Sequence, residues 1–175
     1  EYDYQGNKTI LLHLPMQPKS TEWNPGEGAL YVDEPEEKIL STLKGDLQQV
    51  QYATGVNNHM GSLFTEKEGP MQTVLEYLKE NQLFFIDSFT TSNTVGYKLA
   101  RETGVKTTRR NIFLDNQQDV GKICVQLDKL VAYAMKKGGA VGIGHPYSET
   151  VKALRECLPQ YDQKIEVVGV DKLVQ

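Results

Sequence analysis

Apolar runs and helical stripes alternate along this chain. The run TILLHL (9–14) is apolar enough for a buried strand. Ile39, Leu40, Leu43, Leu47 and Val50 recur at helical spacing, which predicts a helix over 36–50 with Pro35 at its first turn. YATGV (52–56) predicts a short strand, and Gly69-Pro70 opens a helix carrying Met71, Val74, Leu75 and Leu78. LFFID (83–87) predicts a strand, followed by a helix over 95–103 that Gly104 closes. NIFLD (111–115) is the next strand. The clearest helix spans 118–137, where Ile123, Leu127, Val131 and Ala134 lie on one stripe and Lys136, Lys137 and Gly138 form the end. AVGIG (140–144), a helix over 149–158 and KIEVVGV (164–170) complete the pattern.

Strands that alternate with helices argue for parallel pairing through right-handed crossovers. Runs such as LFFI are apolar on both faces, as expected where helices cover both sides of a sheet. The fold class is therefore α/β, either a doubly wound sheet or a piece of a β/α barrel. No repeat, low-complexity tract or linker interrupts it, so 1–175 is expected to form a single domain. One stretch breaks the rhythm. PMQPKSTEWNPGEGALYVDEP (15–35) has four prolines, two glycines and no period, and such stretches inside domains are often functional loops. Its Trp23 is expected to pin the loop to the body.

Composition narrows the partners. A net charge of −4 without a basic block argues against nucleic acid. No apolar run reaches the ~18 residues of a membrane span, and EYDYQGNK at the start is too polar for a signal peptide. Cys124 and Cys157 fall on apolar positions of helices and are expected to be buried free thiols.

The candidate chemistry lies at strand ends. His13 closes TILL; Asn57, Asn58 and His59 follow YATGV; Asp87 closes LFFI; Asp115 closes NIFL; His145 closes AVGIG. In parallel α/β folds these ends share one rim, where active sites are built. All three histidines are thus expected to converge there. Each residue also has a structural reading. A strand-end histidine can be a hydrogen-bonded core residue, Asp115 can cap Gln117 or Gln118, and Asp87 can bond the Ser88–Thr91 turn. There is no HExxH, CxxC pair, P-loop, GxGxxG or GxSxG, and the glycines of GGAVGIG read as packing residues.

The motifs LLHLPMQP, PGEGAL, GVNNHMGS, FFIDSFTT, RRNIFLDN and VGIGHPYSET, in this order, resemble the divergent polysaccharide deacetylase family. The resemblance implies a distorted β/α barrel and a divalent metal, usually zinc, that serves amide hydrolysis on an N-acetylated, cell-envelope carbohydrate. It implies His13 and His59 as metal ligands, His145 as the acid that protonates the leaving amine, and Asp87 as the carboxylate that orients it. Asn57, Asn58, Ser62 and Asp115 are the candidates for hydrogen bonds to substrate or to the ligands, with Arg109 and Arg110 in support. The family's opening Asp-Asp pair is not found in EYDYQGNK, where Asp3 has the wrong context, so the chain is expected to be the later part of a longer, incomplete barrel. Three functions follow: a metal-dependent carbohydrate deacetylase at the cell envelope or outside the cell; a catalytically decayed fold that binds envelope glycan or protein; and an amidase acting on another amide.

Overall fold

The computed structural model describes residues 8–175, so Asp3 and the search for an acidic pair lie outside the described residues. Two compact units emerge among the described residues, 8–109 with Val174–Gln175, and Arg110–Leu173.

The first unit is built on a parallel sheet whose spatial order follows the chain: β1 (Leu11–Met16), β2 (Gly55–Met60), β3 (Phe84–Asp87) and β4 (Thr107–Arg109). Helices α1 (Glu36–Gln49), α2 (Glu68–Glu80) and α3 (Gly96–Thr103) make the crossovers. Alternation along β1 turns Leu12, Leu14 and Met16 into the core and leaves His13 on the opposite, open face. Leu43 of α1, Leu75 of α2 and Ala100 of α3 are sealed against Leu14 and Phe85 of the sheet. Burying each of these leucine side chains contributes about 1.5–3 kcal/mol.

The irregular stretch after β1 folds back on it. Gln17 N–H donates to the Leu30 carbonyl (2.9 Å), and Leu30 N–H donates to that of Pro15 (3.0 Å). Leu30 is wholly buried by this return. Trp23 does not pin the loop: its side chain stands 63% exposed, and Leu30 provides the anchor instead.

The second unit pairs β5 (Ile112–Phe113) with β6 (Gly142–Ile143) in parallel, joined by α4 (Val120–Lys137) and followed by α5 (Ser148–Cys157). Asp119 caps α4 by accepting the Lys122 N–H, so Asp115 is released from the capping role open to it. A small core of Leu114, Ile123, Leu127 and Ala153 forms beneath the helices. Cys124 and Cys157 are not free thiols but a disulfide, with Cα atoms 5.8 Å apart. The same apolar positions that suggested burial bring the two helices into bridging distance.

KIEVVGV is no strand. Val167 is 69% exposed, and only a short 3-10 turn, Val170–Lys172, follows. A strand needs a ladder partner for its backbone groups. The edge of β4 is instead occupied by Gln175, which exchanges both backbone bonds with Thr107 (3.0 and 3.2 Å). The molecule is α/β with parallel strands, and no closed barrel forms among the described strands, which makes it an incomplete β/α barrel.

Candidate functional site

In the first unit, the β1–β2 register sets His13 opposite Asn57 and Pro15 opposite His59. His13 and His59 therefore lie diagonally on one face, and His59 Nδ1 comes to 3.0 Å from His13 Nε2 with the rings edge-on. Two nitrogens on a tetrahedral zinc stand ~3.3 Å apart, given Zn–N bonds of about 2.0–2.1 Å. The 3.0 Å contact is a hydrogen bond, one ring N–H donating to the other ring's nitrogen, and its length lies within a few tenths of an ångström of that spacing. Among the described residues, no group of three or more His, Cys, Asp or Glu side chains gathers to hold a metal.

His59 is held by its neighbours. Asn58 is buried and faces the other way; its Nδ2 donates to the Met60 carbonyl (2.7 Å), and its Oδ1 accepts the Ser88 N–H (2.8 Å). Thr90 Oγ1 also donates to the Met60 carbonyl (2.8 Å). Met60, the last residue of β2, and Phe89, just past the end of β3, both sit at φ 53°, a left-handed conformation that costs a non-glycine residue energy. These bonds hold the strain where His59 emerges. Asn57 Nδ2 donates to Ser88 Oγ (3.1 Å), and Ser62 Oγ accepts the Lys19 N–H (3.0 Å), which ties down the loop after β1. Lys19 also pairs with Glu66 at 2.7 Å. Hydrogen bonds from Lys19 and Thr91 hold the Glu66 carboxyl below its usual range.

Asp87 is fully buried at the end of β3. Its Oδ1 accepts the Phe89 N–H (2.8 Å), within the turn foreseen as a structural alternative. Its Oδ2 accepts from Thr94 Oγ1 (2.8 Å) and from the Tyr97 N–H (3.0 Å) in the first turn of α3. Asp87 thereby serves helix donors that would otherwise lack partners. The Arg109 guanidinium lies over the rings of Phe89 (5.2 Å) and Tyr97 (5.5 Å).

In the second unit, the register Phe113↔Ile143 continues past the strand ends and sets Asp115 beside His145. Asp115 Oδ1 meets His145 Nδ1 at 3.0 Å, while Oδ2 accepts the His145 backbone N–H and the Thr150 hydroxyl, the latter at 2.8 Å. Burial pushes the Asp115 carboxyl up, but the bonds from the His145 backbone, the His145 ring and Thr150 together outweigh it and hold the group below its usual value. An ionised carboxylate accepts only, so Nδ1 carries the proton and Nε2 is the atom left for exchange. The Asp115 side chain is sealed, while that of His145 is 41% exposed. Arg110 stacks on Phe113 (5.1 Å).

The expected residues thus gather as two sets, His13 with His59 in the first unit and Asp115 with His145 in the second. Thr150, five residues beyond His145 in the first turn of α5, escaped the sequence reading. Its only signal was a hydroxyl close after the histidine in HPYSET.

A family model described as divergent polysaccharide deacetylase matches residues 2–174. The uncharacterized protein YibQ of Escherichia coli K12 is 35% identical over 166 residues, covering 94% of this chain and 51% of its own length. An uncharacterized protein of Haemophilus influenzae is 34% identical over 166 residues, covering 95% of this chain and 59% of its own. The chain thus spans about half the length of the curated relatives it matches. The crystal structure of an uncharacterized protein from Agrobacterium tumefaciens C58 superposes with a TM-score of 0.90 at 24% identity, covering 95% of this chain and 68% of that one. At that identity the likeness establishes the fold.

Proposed function

The chain belongs to the divergent polysaccharide deacetylase family, and from that premise we propose that it is a metal-dependent hydrolase removing acetyl groups from an N-acetylated carbohydrate. The observation that carries this reading is the His13–His59 pair, whose nitrogens are 3.0 Å apart and spaced to share an ion. His13 and His59 would hold a divalent metal, zinc by the chemistry of the imidazole donors. Such an ion supplies Lewis-acid polarisation of an amide carbonyl and of water.

The remaining chemistry belongs to the chain's own side chains. Asp115 keeps the Nδ1 proton of His145 in place and leaves Nε2 as the atom that exchanges a proton, the chemistry that a departing amine needs. An amine leaves poorly unless protonated, and imidazole exchanges protons near neutral pH. In this reading Asp115 is the carboxylate that orients the acid, and Asp87 shapes the loop after β3. The disulfide supports an oxidising compartment, the periplasm, envelope or exterior, where N-acetylated glycans also lie. No helix among the described residues is long and apolar enough to cross a membrane.

The test is acetate release from N-acetylated oligosaccharides by the full-length protein, with metal content measured alongside. Chelator is expected to stop release and zinc to restore it, while His13→Ala and His59→Ala lose the metal. Full zinc occupancy in both variants would overturn the ligand assignment. Glycan binding that persists without any acetate release would leave a binding module in place of an enzyme.

A further inference from the structure

Three donors meet on the Asp115 carboxylate, and two of them belong to His145 itself. Among the described residues, the third donor, the Thr150 hydroxyl, is the one that comes from another element, α5. Without it the carboxylate would be tethered chiefly to the group it has to hold. Thr150 is buried, and a Cβ built on Gly144 would lie 3.2 Å from Asp115 Oδ2 and 3.3 Å from Thr150 Cγ2, so the three residues are packed against each other.

What aims the hydroxyl is the rotation of α5. Thr150, Ala153, Leu154 and Cys157 recur at the spacing of one helix face. Ala153 and Leu154 pack into the cluster formed with Ile123 and Leu127 of α4, and two turns beyond Thr150 the same face is bonded covalently to α4 through Cys157–Cys124. Apolar contact among so few residues is non-directional and tolerates slippage, whereas a covalent bridge does not.

We propose that Thr150 is a positioning residue that holds Asp115 against His145, and that the Cys124–Cys157 disulfide fixes the helix face from which it does so. The acid pair is then fully assembled only in the oxidised protein. Opening the bridge takes two electrons and two protons. A dithiol forms a mixed disulfide with one cysteine, then closes on itself as the oxidised product, and Cys124 and Cys157 are left as thiols. The catalytic meaning of this arrangement rests on the reading of His145 as the acid; the arrangement itself does not.

The experiment reads the pair directly, by carboxyl NMR titration of Asp115 and by the exchange-protected Nδ1–H resonance of His145 in the full chain. Thr150→Val is expected to move the Asp115 titration upward by about one pH unit, through loss of a hydrogen bond to a charged group, and to broaden the Nδ1–H signal. Thr150→Ser is expected to restore both. Dithiol treatment of the wild type, and the double variant Cys124→Ala/Cys157→Ala, are expected to shift Asp115 in the same direction. A folded Thr150→Val protein with an unmoved Asp115 titration would overturn the role of Thr150. An unmoved titration in the folded, reduced protein would overturn that of the disulfide. Should the double variant fail to fold, hydrogen exchange of the reduced wild type decides: faster exchange in the Thr150 turn supports the coupling and unchanged exchange refutes it. Zinc content and acetate release do not enter these readouts, so this inference and the proposed function fail separately.

Discussion

Asn58 on β2 and Ser88, just beyond β3, are joined by a 2.8 Å hydrogen bond from the Ser88 N–H to the Asn58 side chain. The same side chain donates to the Met60 carbonyl, so one buried amide braces both sides of His59. Asn58→Leu, close in volume, leaves the Ser88 N–H without its acceptor and takes one of two side-chain donors from the Met60 carbonyl, which keeps the Thr90 hydroxyl. The expected cost is about 1–3 kcal/mol, measured by urea unfolding. The His59 imidazole resonances are expected to shift in the folded variant, and unchanged ring signals would show that Asn58 does not place the histidine.

Acid sensitivity follows from Asp115. Its carboxyl lies below the usual value in the folded state, so across that gap the unfolded chain binds more protons than the native one. The group stabilises the fold above the ordinary aspartate value of about 3.9, and that stability is lost as pH falls through the lower, folded value. Asp115→Asn is expected to flatten the acid limb of stability below pH ~4 relative to wild type. Urea midpoints between pH 7 and pH 2 would show it; parallel curves for the two proteins would rule it out.

The disulfide closes a separation of 33 residues across a unit with a small core. Its removal is expected to cost about 2–4 kcal/mol. Denaturant unfolding with and without a dithiol measures this, and signals from the second unit are expected to melt earlier. Equal midpoints in both conditions would contradict it.

Gly55 pairs with Phe84 across β2 and β3, and a Cβ on Gly55 would lie 2.4 Å from the Phe84 ring. Gly55→Ala must turn that ring out of its place, at an expected cost of about 1–3 kcal/mol. Adding Phe84→Leu is expected to recover part of the loss. A double-mutant cycle with no coupling would show that the ring is not the obstacle.

The sequence carried the fold where a local signal coincides with burial. The alternation in TILLHL and the stripe of Ile123, Leu127 and Val131 both report which face meets the core. It failed where pairing decides. Thr107–Arg109 is polar, yet becomes β4 because β3 offers it an edge; KIEVVGV has the strand composition and finds no partner among the described residues. The site follows the same division. Strand-end positions marked His13, Asp115 and His145, but the contacts between His13 and His59 and between Asp115 and His145 arise from registers between segments 46 and 30 residues apart. The cysteine pairing was hidden likewise, since the closeness of two helices is not encoded in either one.

The chain holds one tryptophan, and it protrudes from the loop after β1 with most of its surface in water. Its emission is therefore expected at the long wavelengths of a hydrated indole, nearly blind to the interior. Any sugar, peptide or lid segment that settles over that loop would dry the ring and shift the colour, so the protein brings its own optical reporter to a search for its ligand.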